Sequence, residues 1–213
     1  MSADFQDGWW LAAQRYDSPH YDERPDPADI TLLVIHNISL PAGQFGGPHV
    51  SDLFTARLDY NADPSFAGLR GVKVSSHFFI RRDGRVLQYV SANARAWHAG
   101  RSAFQGREKC NDFSIGIELE GTDSTPFEPA QYQSLATLTL ALQQHYPLQD
   151  VQGHEHIAPG RKTDPGVLFD WSQYQQIWRE IRRETCLQTG SPVSALVGAR
   201  GELRFAKGLP QSQ

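Results

Sequence analysis

The run ITLLVIHN, residues 30–37, limits the folds open to this chain more than any other segment. Successive side chains of a strand point to opposite faces, and here both faces are apolar as far as Ile35. Such a strand needs cover on both sides, so it belongs inside a sheet with other layers packed against it. The run stops abruptly at His36 and Asn37, which places two polar side chains at the C-terminal edge of a buried strand.

Other segments fill in the same architecture. VKVSSHFFIRRDGRVLQYV, residues 72–90, predicts a hairpin joined at Asp83-Gly84, a two-residue turn signal. DFSIGIELEG, residues 112–121, predicts a strand with Phe113, Ile115, Ile117 and Leu119 on one face. Ser114, Gly116, Glu118 and Glu120 fall on the other. A helix is expected from Glu128-Pro129, with Tyr132, Leu135, Leu138 and Leu142 at helical spacing and Pro147 to end it. Ser172 and Gln175 form a capping-box pattern ahead of Tyr174, Ile177, Trp178 and Ile181. A shorter helix is expected around His49 to Leu58. The sum is an α/β fold, a mixed central sheet flanked by helices. The domain is expected to occupy residues 1–186, with 187–213 as an appended tail rich in Gly, Ser and Gln around one apolar patch, ELRFA.

Bulk properties remove several function classes. A net charge of -4 gives no electrostatic reason to expect nucleic acid or an anionic membrane as partner. No apolar run approaches the roughly 20 residues that span a bilayer. The N-terminal stretch carries acids and no basic cluster before its short apolar patch, unlike a secretory signal. Two cysteines, Cys110 and Cys186, make neither a disulfide framework nor a CxxC pair, which fits a reduced cytoplasmic setting. There is no GxSxG elbow and no Walker lysine spacing. Cys110 after Lys109 reads as a structural thiol.

The chemistry concentrates in GHEHIAPGRKTDPG, residues 153–166, where glycines and prolines forbid a regular helix. Zinc takes imidazole nitrogens and carboxylate oxygens, and a catalytic site leaves one position open. His36, His154 and Asp164 would make such a set, but spacing alone leaves His77, His98 and His156 as rivals. Glu118 would serve as proton acceptor if its face lined the same cleft. The commoner situation puts Glu118 and Glu120 on the solvent side of an antiparallel strand. Lys162, two residues before Asp164, would stabilise an oxyanion, although a loop lysine is more often simply solvated.

Four blocks carry a resemblance: LLVIHNISLPAGQFGGPHV, VSSHFFIRRDGRVLQYV, RAWHAGRSAFQGREKCNDFSIGIELEGTD and GHEHIAPGRKTDPG. In this order they resemble the zinc-dependent N-acetylmuramoyl-L-alanine amidases, in their cytoplasmic anhydro-muropeptide branch, from about Gly8 to about Arg182. The resemblance implies a fold shared with peptidoglycan-recognition proteins. It implies zinc ligands His36, His154 and Asp164, a catalytic carboxylate at Glu118 and a transition-state lysine at Lys162. Asn37, Trp97, His98 and Arg107 fall in blocks that resemble substrate-contacting segments. The implied reaction is hydrolysis of the amide between anhydro-N-acetylmuramic acid and L-alanine of a muropeptide. That reaction serves cell-wall recycling and indirectly limits β-lactamase induction. The expected enzyme is a monomer with muropeptide as its partner and neither nucleic acid nor membrane.

Two readings compete. A non-catalytic muropeptide binder on the same fold would be expected to lack a ligand or the carboxylate, and this chain keeps His36, His154, Asp164 and Glu118. An exported amidase acting on intact peptidoglycan would be expected to carry a signal peptide. The chain departs from the family pattern at Glu155-His156 and at Gly160, where a glutamate is expected; the glycine is expected to loosen the loop before Lys162. Its tail after Leu187 is also longer than the pattern.

Overall fold

The doubly apolar run forms the strand Leu32–Ile38, an interior strand of a seven-stranded sheet in the computed structural model, which describes residues 4–189 and 202–208. The sheet's strands in chain order are Gln14–Arg15 (β1), Leu32–Ile38 (β2), Phe78–Ile80 (β3), Val86–Gln88 (β4), Ser114–Glu120 (β5), Asp150–Gly153 (β6) and Arg204–Phe205 (β7). Their spatial order is β7-β6-β2-β5-β3-β4-β1. β2 runs parallel to both neighbours, β5 and β6, and β5 runs parallel to β3. Only β3 and β4 pair antiparallel within this sheet. All seven residues of β5 are buried, so the solvent-facing antiparallel strand considered for Glu118 and Glu120 does not occur.

The alternation in β5 becomes two environments. Ile115, Ile117 and Leu119 pack with Leu33 and Ile35 of β2 against Pro129–His145 and Trp171–Thr189. These two helices supply Leu135, Leu138, Leu142, Tyr174 and Trp178 to that layer. Phe113 departs from its expected face. It caps a 3-10 turn, Cys110–Asp112, before the strand begins, and it packs with Leu32 and Val34 instead. The polar residues of β5 take the other face, where Glu118 lies beside His36.

We number the helices His49–Phe54 (α1), Pro129–His145 (α2), His154–Ile157 (α3) and Trp171–Thr189 (α4). α1 ends earlier than expected because Ala56 takes a left-handed backbone conformation, φ 58°. α2 starts as predicted, with Pro129 in its first turn and the Glu128 N–H donating to Gln131 Oε1 at 3.0 Å. α4 starts before its expected cap. Asp170 rather than Ser172 accepts the free N–H of Gln173, at 2.9 Å.

The predicted hairpin is present, but its loop is longer than two residues. Arg81 N–H bonds Arg85 C=O at 2.9 Å, leaving Arg82, Asp83 and Gly84 outside the ladder, with Gly84 at φ 84°. The Arg82 N–H turns aside to donate to Glu120 Oε2 at 3.1 Å. Glu120 Oε1 accepts from Gly46 N–H at 2.6 Å, so this buried carboxylate ties two loops to the end of β5.

Part of the expected tail returns to the sheet. Arg204 N–H donates to Gln149 C=O at 2.9 Å, Ala206 N–H to Val151 C=O at 2.8 Å, and Arg204 grips both oxygens of Asp150. Leu203 is in the core, and Phe205 lies edge-on to Tyr174 at 5.0 Å and against Trp178 at 5.2 Å. The rest of the tail, 190–201 and 209–213, lies outside the described residues. Among the described residues no helix is long and apolar enough to cross a membrane. Phe205→Ala should remove these ring contacts at a cost of about 1–2 kcal/mol, less than a fully buried phenylalanine because Phe205 is only part-buried. The thermal midpoint of the metal-loaded protein should fall by about 2–8 °C; an unchanged midpoint would show that β7 does not support the fold.

Candidate metal centre and active-site cleft

Parallel register builds the site. His36 of β2 lies beside Glu118 of β5, and Gly153 of β6 lies beside Ile35, so His154 follows at the adjoining strand end. From there the 153–166 loop bends back. The Asp164 C=O accepts the Glu155 N–H at 2.9 Å, which returns the Asp164 side chain to His154. Gly166, at φ 87°, closes the bend where a Cβ would come within 2.4 Å of the Asp123 backbone.

Three donor atoms converge. His36 Nδ1 is 2.9 Å from His154 Nδ1 and 3.0 Å from Asp164 Oδ2, and His154 Nδ1 is 3.1 Å from the same oxygen. The side chains are 1%, 3% and 14% exposed, respectively. His154 Nε2 lies 3.1 Å from the Ala99 carbonyl, which can only accept. The ring's hydrogen therefore sits on Nε2, and Nδ1 keeps its lone pair for the cluster. Burial, then the neighbouring His154 and Lys162, push His36 down to about 4 against the pull of Asp164, so its imidazole is neutral at pH 7. Burial alone would raise Asp164, but the adjoining His154 and His36 outweigh it and hold the carboxyl well below its usual range. Two imidazole nitrogens and one carboxylate oxygen suit a metal ion of zinc-like preference.

Glu118 sits beside this cluster, 8% exposed, and its Oε2 has no hydrogen-bond partner. Burial first, then the charge of Asp164, raise its pKa well above the carboxylate range, and Lys162 partly offsets them. Lys162 itself is exposed. All of these residues line one cleft of about 280 Å³. Its opposite wall is apolar, with Leu53, Phe54, Leu69 and Val74.

The remaining candidates divide. Asn37 lines the cleft while its Nδ2 donates to Asp123 Oδ1 at 2.7 Å and to Pro165 C=O at 3.0 Å. Trp97 lines it too, with a buried indole N–H that has no partner and a ring stacked on His20 at 5.9 Å. His98 reaches the wall with its Nδ1 3.0 Å from His36 Nε2. Arg107 is not brought to this cleft. Its guanidinium pairs with Asp29 and lies 3.8 Å above the Phe113 ring.

The rival histidines are engaged elsewhere: His77 Nδ1 accepts Gly116 N–H at 3.0 Å, and His156 Nδ1 accepts Gly153 N–H at 2.9 Å. Glu155 is buried beside the loop and raised to about 7 by burial, then by Asp123 and Asp164. Cys110 is a buried free thiol raised by desolvation, as a structural cysteine should be. Sequence reasoning missed the Ala99 carbonyl, Asp123 and the apolar wall; none carries a local signal.

Comparison with known proteins agrees with this geometry. A family model described as N-acetylmuramoyl-L-alanine amidase matches residues 26–167. The chain is 56% identical over 182 residues to the 1,6-anhydro-N-acetylmuramyl-L-alanine amidase AmpD of Escherichia coli (strain K12), covering 84% of this chain and 98% of that one. It is similar to a crystal structure of AmpD, with a TM-score of 0.78 and 55% identity over 81% of this chain and 97% of that one. It is also similar to the N-acetylmuramyl-L-alanine amidase AmiD of E. coli in complex with the substrate anhydro-N-acetylmuramic acid-L-Ala-D-gamma-Glu-L-Lys. There the TM-score is 0.52 and the identity 33%, over 81% of this chain and 64% of that one. A strand-end histidine, a loop histidine and a loop aspartate beside an unpartnered glutamate, on a chain with these relatives, place it in one family: the chain belongs to the N-acetylmuramoyl-L-alanine amidases.

Proposed function

We propose that this chain hydrolyses the amide joining 1,6-anhydro-N-acetylmuramic acid to L-alanine in muropeptides, as part of cell-wall recycling. The observation that carries this reading is the convergence of His36, His154 and Asp164 within about 3 Å beside the free oxygen of Glu118. A pure muropeptide binder has no use for a buried carboxylate held without a partner. A zinc ion held by His36, His154 and Asp164 supplies Lewis acidity towards the scissile carbonyl and the attacking water.

Glu118 does the proton work. Burial raises its proton affinity, so its carboxylate takes a proton from water as the new C–O bond forms. It then passes that proton to the departing alanine nitrogen as the C–N bond breaks. Lys162, whose charge is felt at Glu118, faces the negative charge that builds on the carbonyl oxygen. The Trp97 indole N–H and the Asn37 amide oxygen are the polar groups assigned to substrate, with the apolar wall taking its hydrocarbon parts. Arg107 is left out of the contact set, since Asp29 holds it.

The catalytic unit is assigned to residues 1–186, with β7 docked on it from the tail. Action as a cytoplasmic monomer on free muropeptides completes the reading. It is supported by free thiols at Cys110 and Cys186.

Three outcomes check this assignment. Metal analysis should find one zinc per chain in both the parent and Glu118→Gln, while turnover of anhydro-muropeptide by the variant falls by about 10²–10⁴-fold; near-parental turnover would remove Glu118 from the reaction. His156→Ala should keep the full zinc content, because its ring faces Gly153 and not the cluster; loss of the metal would make His156 a ligand. Glu155→Gln tests the buried charge. A carboxyl raised to about 7 favours the fold below its ordinary pKa and loses that contribution as pH rises through 7. In chelated protein the variant should therefore melt above the parent at pH 8 and close to it at pH 5. An advantage that grows as pH falls would contradict this sign.

A further inference from the structure

His98 stands behind a ligand rather than in front of a substrate. Its Nδ1 is 3.0 Å from Nε2 of His36, the nitrogen that His36 turns away from the cluster. On its far side, His98 Nε2 is 3.3 Å from Ser114 Oγ, and the Ser114 hydroxyl donates to the Cys110 carbonyl at 2.6 Å.

The carbonyl fixes the direction of this chain. It can only accept, so the serine proton points at it and the serine oxygen offers a lone pair to His98 Nε2–H. His98 Nδ1 then accepts from His36 Nε2–H. His36 is left with its lone pair on Nδ1, facing His154 and Asp164. Each link is a donor meeting an acceptor, and reversing any one leaves two hydrogens or two lone pairs opposed.

The backbone makes room for the ring. Gly116 sits mid-strand between Ile115 and Ile117, and a Cβ there would fall 2.5 Å from His98 Cγ. The same segment orients the other imidazole ligand. The N–H groups of His98 and Ala99 both donate to Asn111 Oδ1, at 3.2 and 2.8 Å, and the Ala99 carbonyl accepts from His154 Nε2–H at 3.1 Å.

We propose that His98 is a positioning residue which, with Ser114 behind it, sets the orientation and tautomer of His36, and that the His98-Ala99 segment thereby pre-forms both imidazole ligands of the metal centre. This rests on the metal-dependent amidase reading, and it replaces a substrate contact at His98. Partners in this place typically change metal affinity by about 10–100-fold when removed.

The test measures zinc affinity by competition with a chelator, together with kcat and KM for anhydro-muropeptide, in the parent, His98→Ala, His98→Asn and Ser114→Ala. His98→Ala should weaken zinc by about 10–100-fold and lower kcat in zinc-limited assays, with KM changed by less than about twofold. His98→Asn, whose amide oxygen can stand where Nδ1 stood, should recover a large part of the affinity. Ser114→Ala lies beyond the ring and reaches neither metal nor substrate, so its own loss of zinc affinity, smaller than that of His98→Ala, is the result a substrate-contact role does not give. Melting of the chelated variants identifies any that fail to fold, and Ser114→Ala then decides alone. Unchanged zinc affinity in His98→Ala and Ser114→Ala, with a raised KM in His98→Ala, would overturn the proposal. A parent protein that hydrolyses muropeptide fully without metal would overturn the function reading instead.

Discussion

The in-register parallel pairing of β2 with β5 is the constraint on which the rest depends. It sets Glu118 beside His36, and the pairing of β6 on the other edge of β2 delivers His154 to the same strand end. A slip of one residue would turn Glu118 towards the α2 and α4 layer and bring Ile117 or Leu119 to the cluster. Apolar residues on one face hold the register through burial. The catalytic face is thus placed by side chains that never meet a substrate.

Burial then divides two similar carboxylates by function. Glu118 and Glu120 share a face of β5 and are 8% and 3% exposed. Glu120 receives backbone N–H groups from Gly46 and Arg82, so it serves as a structural anion that ties loops to the strand end. Glu118 keeps one oxygen unpartnered, and desolvation raises its proton affinity. An orphaned buried oxygen is costly in a fold and useful in a proton transfer. The convergence of His36, His154 and Asp164 follows the same logic, since three donor atoms gathered at about 3 Å are compatible with a metal ion.

Much of this was legible in the residues. The double-faced apolar run required a covered central strand, and the abrupt stop at His36 put a polar group at its edge. The alternation in β5 separated the core face from the face that carries Glu118. Favouring His154 and Asp164 as candidates over His77, His98 and His156 needed the family resemblance, because side chains from three segments have no common spacing. Nor does a local pattern contain the ion pair of Arg107 with Asp29, a long-range partner outside its block. β7 escaped notice for a related reason. A two-residue strand has no periodicity to read, and only the free edge of β6 gives Arg204 and Phe205 a place to dock.

The departures in the 153–166 loop acquire physical causes. His156 replaces an expected small or acidic residue, and its Nδ1 accepts the Gly153 N–H just where β6 passes into α3. It therefore braces the strand end that presents His154, without entering the cluster. Gly160, expected to loosen the approach to Lys162, sits at φ 73° with open space where a Cβ would go. Glycine adopts that conformation without the roughly 1–2 kcal/mol that a side chain pays in the left-handed region. The turn is also pinned beyond the glycine, because the Ala158 carbonyl accepts from both Arg161 and Lys162 N–H at 3.1 Å. The Arg161 guanidinium in turn donates to the Ala99 and Arg101 carbonyls, at 2.8 and 2.7 Å. Ala99 is the carbonyl that orients His154, so the loop before Lys162 and the metal centre share one anchor. A glycine that relaxes the backbone at this turn is consistent with a well-held backbone at Lys162, because the restraint lies in the hydrogen bonds to the Ala158 carbonyl.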